Sequence, residues 1–157
     1  MTPVDINLSR RQALKGASAL ALTLVAVGLL PPEAAADAKM IDEALKKVIQ
    51  DRKPVAGKIK LDLPQIAENG NTVPIGFTVD SPMTKDNYVK AVHVFADGNP
   101  SPEVASFFFS PQSGKAYAAT RMRMAKTQNI IAVAEMSDKS VYMAKQQVKV
   151  TIGGCGG

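Results

Sequence analysis

The chain has no tryptophan, a single histidine and a single cysteine. Each scarcity removes a class of chemistry. One cysteine cannot form an internal disulfide, and an odd cysteine in an exported chain implies intermolecular pairing or a working thiol. One histidine and one distant cysteine make a poor metal site, since a closed zinc site takes four ligands. A Cys–His catalytic pair would require Cys155 to reach His93, with a third group orienting the ring, and a tail is a poor place to hold such geometry. No H-E-x-x-H, G-x-G-x-x-G, C-x-x-C or P-loop pattern occurs, so no metal and no cofactor is expected. Aromatics make up 5% of the residues, and no five or six basic residues stand together. Nucleic-acid binding, which needs a basic patch interleaved with aromatics, is therefore not expected. The net charge of +5 is spread along the chain and reads as a solvated surface that can favour an acidic partner or an anionic substrate.

What is present describes a globular protein. The 157 residues suit one domain, and 46% hydrophobic with 21% charged residues excludes a disordered chain. The first 36 residues read as an address. Ser9-Arg10-Arg11-Gln12-Ala13-Leu14-Lys15-Gly16 precedes an apolar run over 17–30, then Pro31-Pro32 and the small-residue stretch Glu33-Ala34-Ala35-Ala36-Asp37-Ala38. A basic segment, a short apolar core and an A-x-A-type site make a signal peptide; the core falls short of the roughly 20 residues of a membrane span. The pair Arg10-Arg11 with Leu14 and Lys15 resembles the twin-arginine export signal, with Ala13 where that pattern prefers Phe. The resemblance implies export of a folded protein to the periplasm, with no membrane attachment after cleavage. Cleavage after Ala36 or Ala38 fits equally. With the first, removing Arg10, Arg11 and Lys15 from 19 basic residues and Asp5 and Glu33 from 14 acidic ones leaves 16 and 12, a net of +4.

Residues 37–152 form the folded domain. From Asp37 to about Arg52, Met40, Ile41, Ala44, Leu45, Val48 and Ile49 recur at spacings of three and four, which predicts a helix ending before Pro54 and Gly57. Beyond it the period falls to two. Ile59, Leu61 and Leu63 alternate with polar neighbours, as do Val73, Ile75, Phe77 and Val79. Further strand-like runs cover Val89–Ala96, Val104–Phe109, Ala116–Met124, Asn129–Glu135 and Val141–Ile152. Turn-forming clusters separate them. About seven short strands at regular spacing predict a mainly β fold, an immunoglobulin-like antiparallel β-sandwich preceded by a helix. His93 reads as a sheet histidine that either faces water or is a satisfied core site. Arg121-Met122-Arg123-Met124 reads as an alternating strand with its arginines outward; a sulfur-oxyanion contact there is the alternative. In Phe107-Phe108-Phe109 at least one ring must point away from its own core.

The chain ends Ile152-Gly153-Gly154-Cys155-Gly156-Gly157. Glycine has no Cβ and gains little by folding, so residues 153–157 read as a flexible arm that can enter a narrow channel. Fully extended, the arm spans at most about 17 Å. A free cysteine has a pKa of about 8.5 and reacts as its thiolate. The nearest basic residue in sequence is Lys149, and the carboxylate of Gly157 disfavours the thiolate. Activation is therefore expected from the enzymes that receive the arm, which is the behaviour of a carrier rather than of an enzyme.

Gly153-Gly154-Cys155-Gly156-Gly157 at the extreme C-terminus, on a small β-domain behind a twin-arginine leader, resembles the SoxY family. The resemblance implies the sulfur-carrier subunit of the periplasmic thiosulfate-oxidising system. In that system SoxY pairs with a second β-sandwich subunit, SoxZ. A c-type cytochrome complex joins thiosulfate oxidatively to the cysteine. A dimanganese hydrolase releases sulfate, and a molybdenum- and haem-containing sulfane dehydrogenase, where present, oxidises the remaining sulfane sulfur. The resemblance makes Cys155 the covalent attachment site and Gly153, Gly154, Gly156 and Gly157 its arm. Three other readings of the same residues stand beside it. A terminal Gly-Gly also ends the ubiquitin-like sulfur carriers, which act in the cytoplasm, against the export signal. The sandwich could be a structural or interaction module whose Cys155 makes an interchain disulfide. An enzyme with Cys155 as its own nucleophile lacks a visible base near the arm.

Overall fold

A computed structural model of the chain describes residues 32–153, with side chains described from residue 38. The architecture below is that of the compact unit that begins at Pro32.

Helix α1 spans Pro32–Ile49. It begins five residues before the expected Asp37 start. Proline is favoured in the first turn of a helix, where its missing N–H costs nothing, and Glu33-Ala34-Ala35-Ala36 are strong helix formers. It ends where Gln50 turns left-handed at φ 54°. The Arg52 guanidinium then closes the end, donating through Nε to the Ile49 carbonyl at 3.0 Å and through Nη2 to the Val48 carbonyl. A cation on the last carbonyls satisfies orphan acceptors and opposes the negative end of the helix dipole.

Eight strands follow: β1 (Ile59–Asp62), β2 (Ile66–Ala67), β3 (Val73–Val79), β4 (Val89–Ala96), β5 (Glu103–Phe108), β6 (Ala116–Met122), β7 (Gln128–Met136) and β8 (Val141–Val150). They form a three-stranded sheet, β1-β3-β6, and a five-stranded sheet, β2-β8-β7-β4-β5. The sandwich read from the alternation is therefore present, with the seven expected strands as β1 and β3–β8. The eighth, β2, has two residues, too few to show an alternating pattern. It also departs from the all-antiparallel expectation, because it pairs in parallel with β8 through Ile66↔Lys149 and Ala67↔Val150. The remaining strand pairs are antiparallel.

The core lies between the sheets. From β3 come Val73, Ile75, Phe77 and Val79; Val92, Val94 and Ala96 of β4 and Ile130, Ala132 and Ala134 of β7 face them. The opposite face of β4 and β7 is covered as well. Phe95, Ile131, Val133 and Val141 pack against Ile41, Ala44, Leu45, Val48 and Ile49 of α1. The five-stranded sheet is thus the middle of three layers. This explains the unbroken apolar run Ile130–Ala134: a strand covered on both faces has no water side to alternate toward. The apolar stripe read on the helix is its docking face, although Met40 at the margin stays 37% exposed.

The three phenylalanines of the β5 region obey the pleat. Phe107 and Phe109 set their edges against Phe77, with centroids 5.2 and 6.3 Å away. Phe108 points to the other face and is 77% exposed. Met122 and Met124 are buried while Arg121 and Arg123 face solvent, as the alternating reading requires.

Candidate functional site

Cys155, Gly154, Gly156 and Gly157 lie outside the described residues, as do Arg10 and Arg11. Gly153 is described, and with it the place from which the arm departs. Strands β2 and β8 run side by side in the same direction, so the segments that follow them, 68–71 and 151–153, arrive together at one pole of the sandwich. The Thr151 amide donates to the Ala67 carbonyl at 3.1 Å, and its hydroxyl donates to the Glu68 carbonyl at 2.8 Å. The Gly70 amide donates to the Ile152 carbonyl at 2.7 Å, and the Gly70 carbonyl in turn accepts from the Met124 amide at 2.8 Å. On the other side the Val150 amide donates to Thr127 Oγ1 at 3.0 Å. Gly153 then passes over the Ala125 carbonyl, so closely that a Cβ on Gly153 would collide with that oxygen.

The loop that presents Ala125 is fixed from below by Gln128, the one polar residue that is fully buried among the described residues, at 3% exposure. Its Oε1 accepts from the Gly98 amide at 2.7 Å; its Nε2 donates to Asn99 Oδ1 at 2.8 Å and to the Lys126 carbonyl at 3.2 Å. Asn99 completes the frame. Its Oδ1 accepts from the Ala125 amide at 3.0 Å, and its Nδ2 donates to the Arg123 carbonyl at 2.8 Å. Gly98 is buried against Gln128 so closely that a Cβ would lie 3.0 Å from the Gln128 Cβ. A buried amide with every group bonded is a rigid, specific connector. Here it ties the β4–β5 turn to the β6–β7 loop directly beneath the root of the arm. A lone glutamine heading an apolar strand has no periodic signal, and Gly98-Asn99-Pro100 carries only turn-forming chemistry in the sequence, so neither marks this frame.

Among the described residues His93 belongs to a hydrogen-bonded network. It lies half-buried on the helix side of β4, with Nδ1 2.8 Å from Ser106 Oγ and Nε2 3.1 Å from Glu135 Oε1. Of the two readings of a sheet histidine, the structure contains the satisfied one. Glu135 also binds Arg52 Nη2 through Oε2 at 2.7 Å. Burial alone would raise the Glu135 carboxyl pKa, but the hydrogen bond and charge of Arg52, with those of His93, outweigh it and hold the group below its ordinary value. The chain Arg52–Glu135–His93–Ser106 thereby links the end of α1 to β7, β4 and β5. Among the described residues no cluster of three or more His, Cys, Asp or Glu could hold a metal, and no helix is long and apolar enough to cross a membrane.

Comparison with known proteins places this geometry in a family. The model of the sulfur oxidation protein SoxY matches residues 45–155, which is more than half of the chain and reaches Cys155. The solved structure of the sulfur carrier protein SoxY from Chlorobium limicola f thiosulfatophilum is similar at 34% identity, with a TM-score of 0.62 over 73% of this chain and 99% of that one. Superoxide reductase (neelaredoxin) from Ignicoccus hospitalis superposes at a TM-score of 0.54 over 60% of this chain and 80% of its own, but at 13% identity. At that identity the likeness is one of fold, and fold alone does not carry function. No curated protein sequence matches. The match across the sandwich, up to and including the cysteine of the glycine arm, shows that this chain belongs to the SoxY family of sulfur oxidation proteins.

Proposed function

We propose that the chain carries sulfur covalently on Cys155 during periplasmic thiosulfate oxidation. The single observation that carries this reading is the placement of the only cysteine. It stands in Gly153-Gly154-Cys155-Gly156-Gly157, inside the span matched by the sulfur oxidation family, just beyond an anchored strand end. Beside it, both ring nitrogens of His93 are engaged with Ser106 and Glu135.

The chemistry asks little of the sandwich itself. Loading joins the Cys155 thiolate to the terminal sulfur of thiosulfate. A sulfur–sulfur bond forms, and the electron pair lost passes to a c-type cytochrome acceptor complex. Hydrolysis by a dimanganese enzyme then cleaves the bond between the sulfane sulfur and the sulfonate. Water supplies the fourth oxygen of sulfate, and a persulfide remains on Cys155. A molybdenum-containing sulfane dehydrogenase, where present, oxidises that sulfur further. The chain's part is to hold one nucleophilic sulfur on a segment slender enough for several active sites. It does so as a heterodimer with a SoxZ-like sandwich. Export by the twin-arginine route, directed by Arg10 and Arg11, delivers the folded assembly to the periplasm.

The test is intact mass spectrometry of protein purified from cells grown on thiosulfate, before and after reductant. Reducible additions of sulfur or thiosulfate-derived mass on the peptide containing Cys155 are expected. A bare thiol or only a homodimer disulfide, in cells actively oxidising thiosulfate, would instead favour an interaction module linked through Cys155. The Cys155→Ser variant is expected to take up no sulfur in the presence of the cytochrome complex.

A further inference from the structure

We infer that the arm is seated at its root, and that Gly153 is the positioning residue that seats it. The inference rests on the carrier reading of Cys155 for its consequence, but not for its geometry.

The seat is built from backbone. The chain reaches Gly153 through three consecutive restraints on Thr151 and Ile152: the amide and hydroxyl of Thr151 on the Ala67 and Glu68 carbonyls, and the Ile152 carbonyl on the Gly70 amide. Gly153 then crosses the Ala125 carbonyl at a separation that leaves no room for a Cβ, with even the carbonyl carbon only 3.3 Å from where that atom would stand. The obstructing group is a peptide oxygen, not the end of a flexible side chain. The peptide that carries it is braced on both sides: the Ala125 amide is bonded to Asn99, and the Lys126 carbonyl accepts from buried Gln128, which also holds Asn99. Any side chain at 153 therefore requires the backbone to shift at this contact.

Flexibility alone would make the glycines flanking Cys155 equivalent. The seat makes Gly153 different in kind. Any swing of Cys155 begins after Gly153, so two residues, at most about 7 Å of extended chain, separate the thiol from a fixed point. That point lies at the pole formed by the segments 67–71, 97–99 and 123–127. A client enzyme must approach this pole to receive the sulfur. Holding the root also confines the thiol to a small volume, which raises its effective concentration at a docked active site. Gly153→Ala should release the root back to β8 and enlarge that volume.

The first test needs no variant and no sulfur chemistry. In nitrogen-15 relaxation of the full chain, the Gly153 amide is expected to be as rigid as that of buried Gly98, with an order parameter of about 0.85. A value below about 0.6 at Gly153 would overturn the seat. Then Gly153→Ala is compared with the unaltered chain by hydrogen exchange and by loading. The Gly70 amide, which holds the Ile152 carbonyl, should exchange at least about tenfold faster, with Gly98 unchanged. Loading of Cys155 by the cytochrome complex should fall about tenfold or more in kcat/KM, while alkylation of Cys155 by iodoacetamide stays at its original rate. Reduced loading with Gly70 exchange unaltered would assign Gly153 to passage through a client channel and sink the seat. If the unaltered chain is never loaded, the carrier reading fails, and the relaxation and exchange results stand independently.

Discussion

Glu135 shows how much of this fold is decided by single polar contacts. Its carboxylate accepts from Arg52 at 2.7 Å and from His93 at 3.1 Å, and its pKa lies below the ordinary value although burial alone would push it upward. A carboxyl depressed in the folded state stabilises folding above its unfolded pKa of about 4.3. That contribution is lost as pH falls through the lower folded value, where both states become protonated. Glu135→Gln is therefore expected to cost about 1 kcal/mol near neutral pH, a value suited to a hydrogen-bonded, partly exposed pair. The gap to the parent should shrink as urea titrations are moved from pH 7 to below pH 4. An unchanging gap would mean the carboxyl charge contributes nothing. Gln128 makes a second residue-scale case. Its amide serves three partners at 3% exposure, so Gln128→Leu deprives the buried Gly98 amide of its side-chain acceptor and removes one of the donors to Asn99 Oδ1. A loss of about 1–3 kcal/mol is expected, measured by chemical denaturation. Neither residue was legible in sequence, because a hydrogen-bonding partner far along the chain leaves no local pattern.

At the scale of elements the sequence was far more readable, and the reason is the pleat. Strand β4 was read as Val89–Ala96 and is found there; β3 carries its apolar residues at every second position, as read. What escaped was the two-residue β2 and the parallel pairing it makes, because strand direction depends on which edge the chain crosses to, not on composition. The layer order escaped for a similar reason. Periodicity shows that α1 has an apolar face but not that this face meets Ile131 and Val133. The same pleat yields a sharp contrast within β5. Phe107 lies half-buried against Phe77, at 5.2 Å between centroids, whereas adjacent Phe108 is 77% exposed. Phe107→Ala is expected to cost roughly 2–3 kcal/mol, below the about 3–5 kcal/mol of a fully buried ring. Phe108→Ala should stay within about 0.5 kcal/mol. Thermal unfolding of the two variants decides it, and equal losses would contradict the assignment of faces.

Taken whole, the molecule separates two tasks that sequence reveals very unequally. The sandwich, with its core of Val, Ile and Phe, is a rigid mount whose existence follows from alternation. The arm is legible for the opposite reason: four glycines around the lone cysteine carry none of the apolar alternation that a core requires. Between them lies the root, where Gly153 meets Ala125, and no sequence pattern could reveal that contact. The separation carries a consequence for export. The residues of α1 that pack on the sheet, Ile41, Ala44, Leu45, Val48 and Ile49, all follow the expected cleavage points at Ala36 and Ala38. On the proposed cleavage, the domain's core belongs entirely to the mature chain and can form while the leader is still attached. A twin-arginine signal requires such a folded passenger, and a plain secretory signal requires an unfolded one. Replacing Arg10 and Arg11 together by lysine should therefore leave a folded, soluble precursor in the cytoplasm. Cell fractionation should find it there, with the protease resistance of the mature domain and no mature form in the periplasm. Continued export of the double lysine variant would assign the leader to the general secretory route, with the sandwich folding only after translocation.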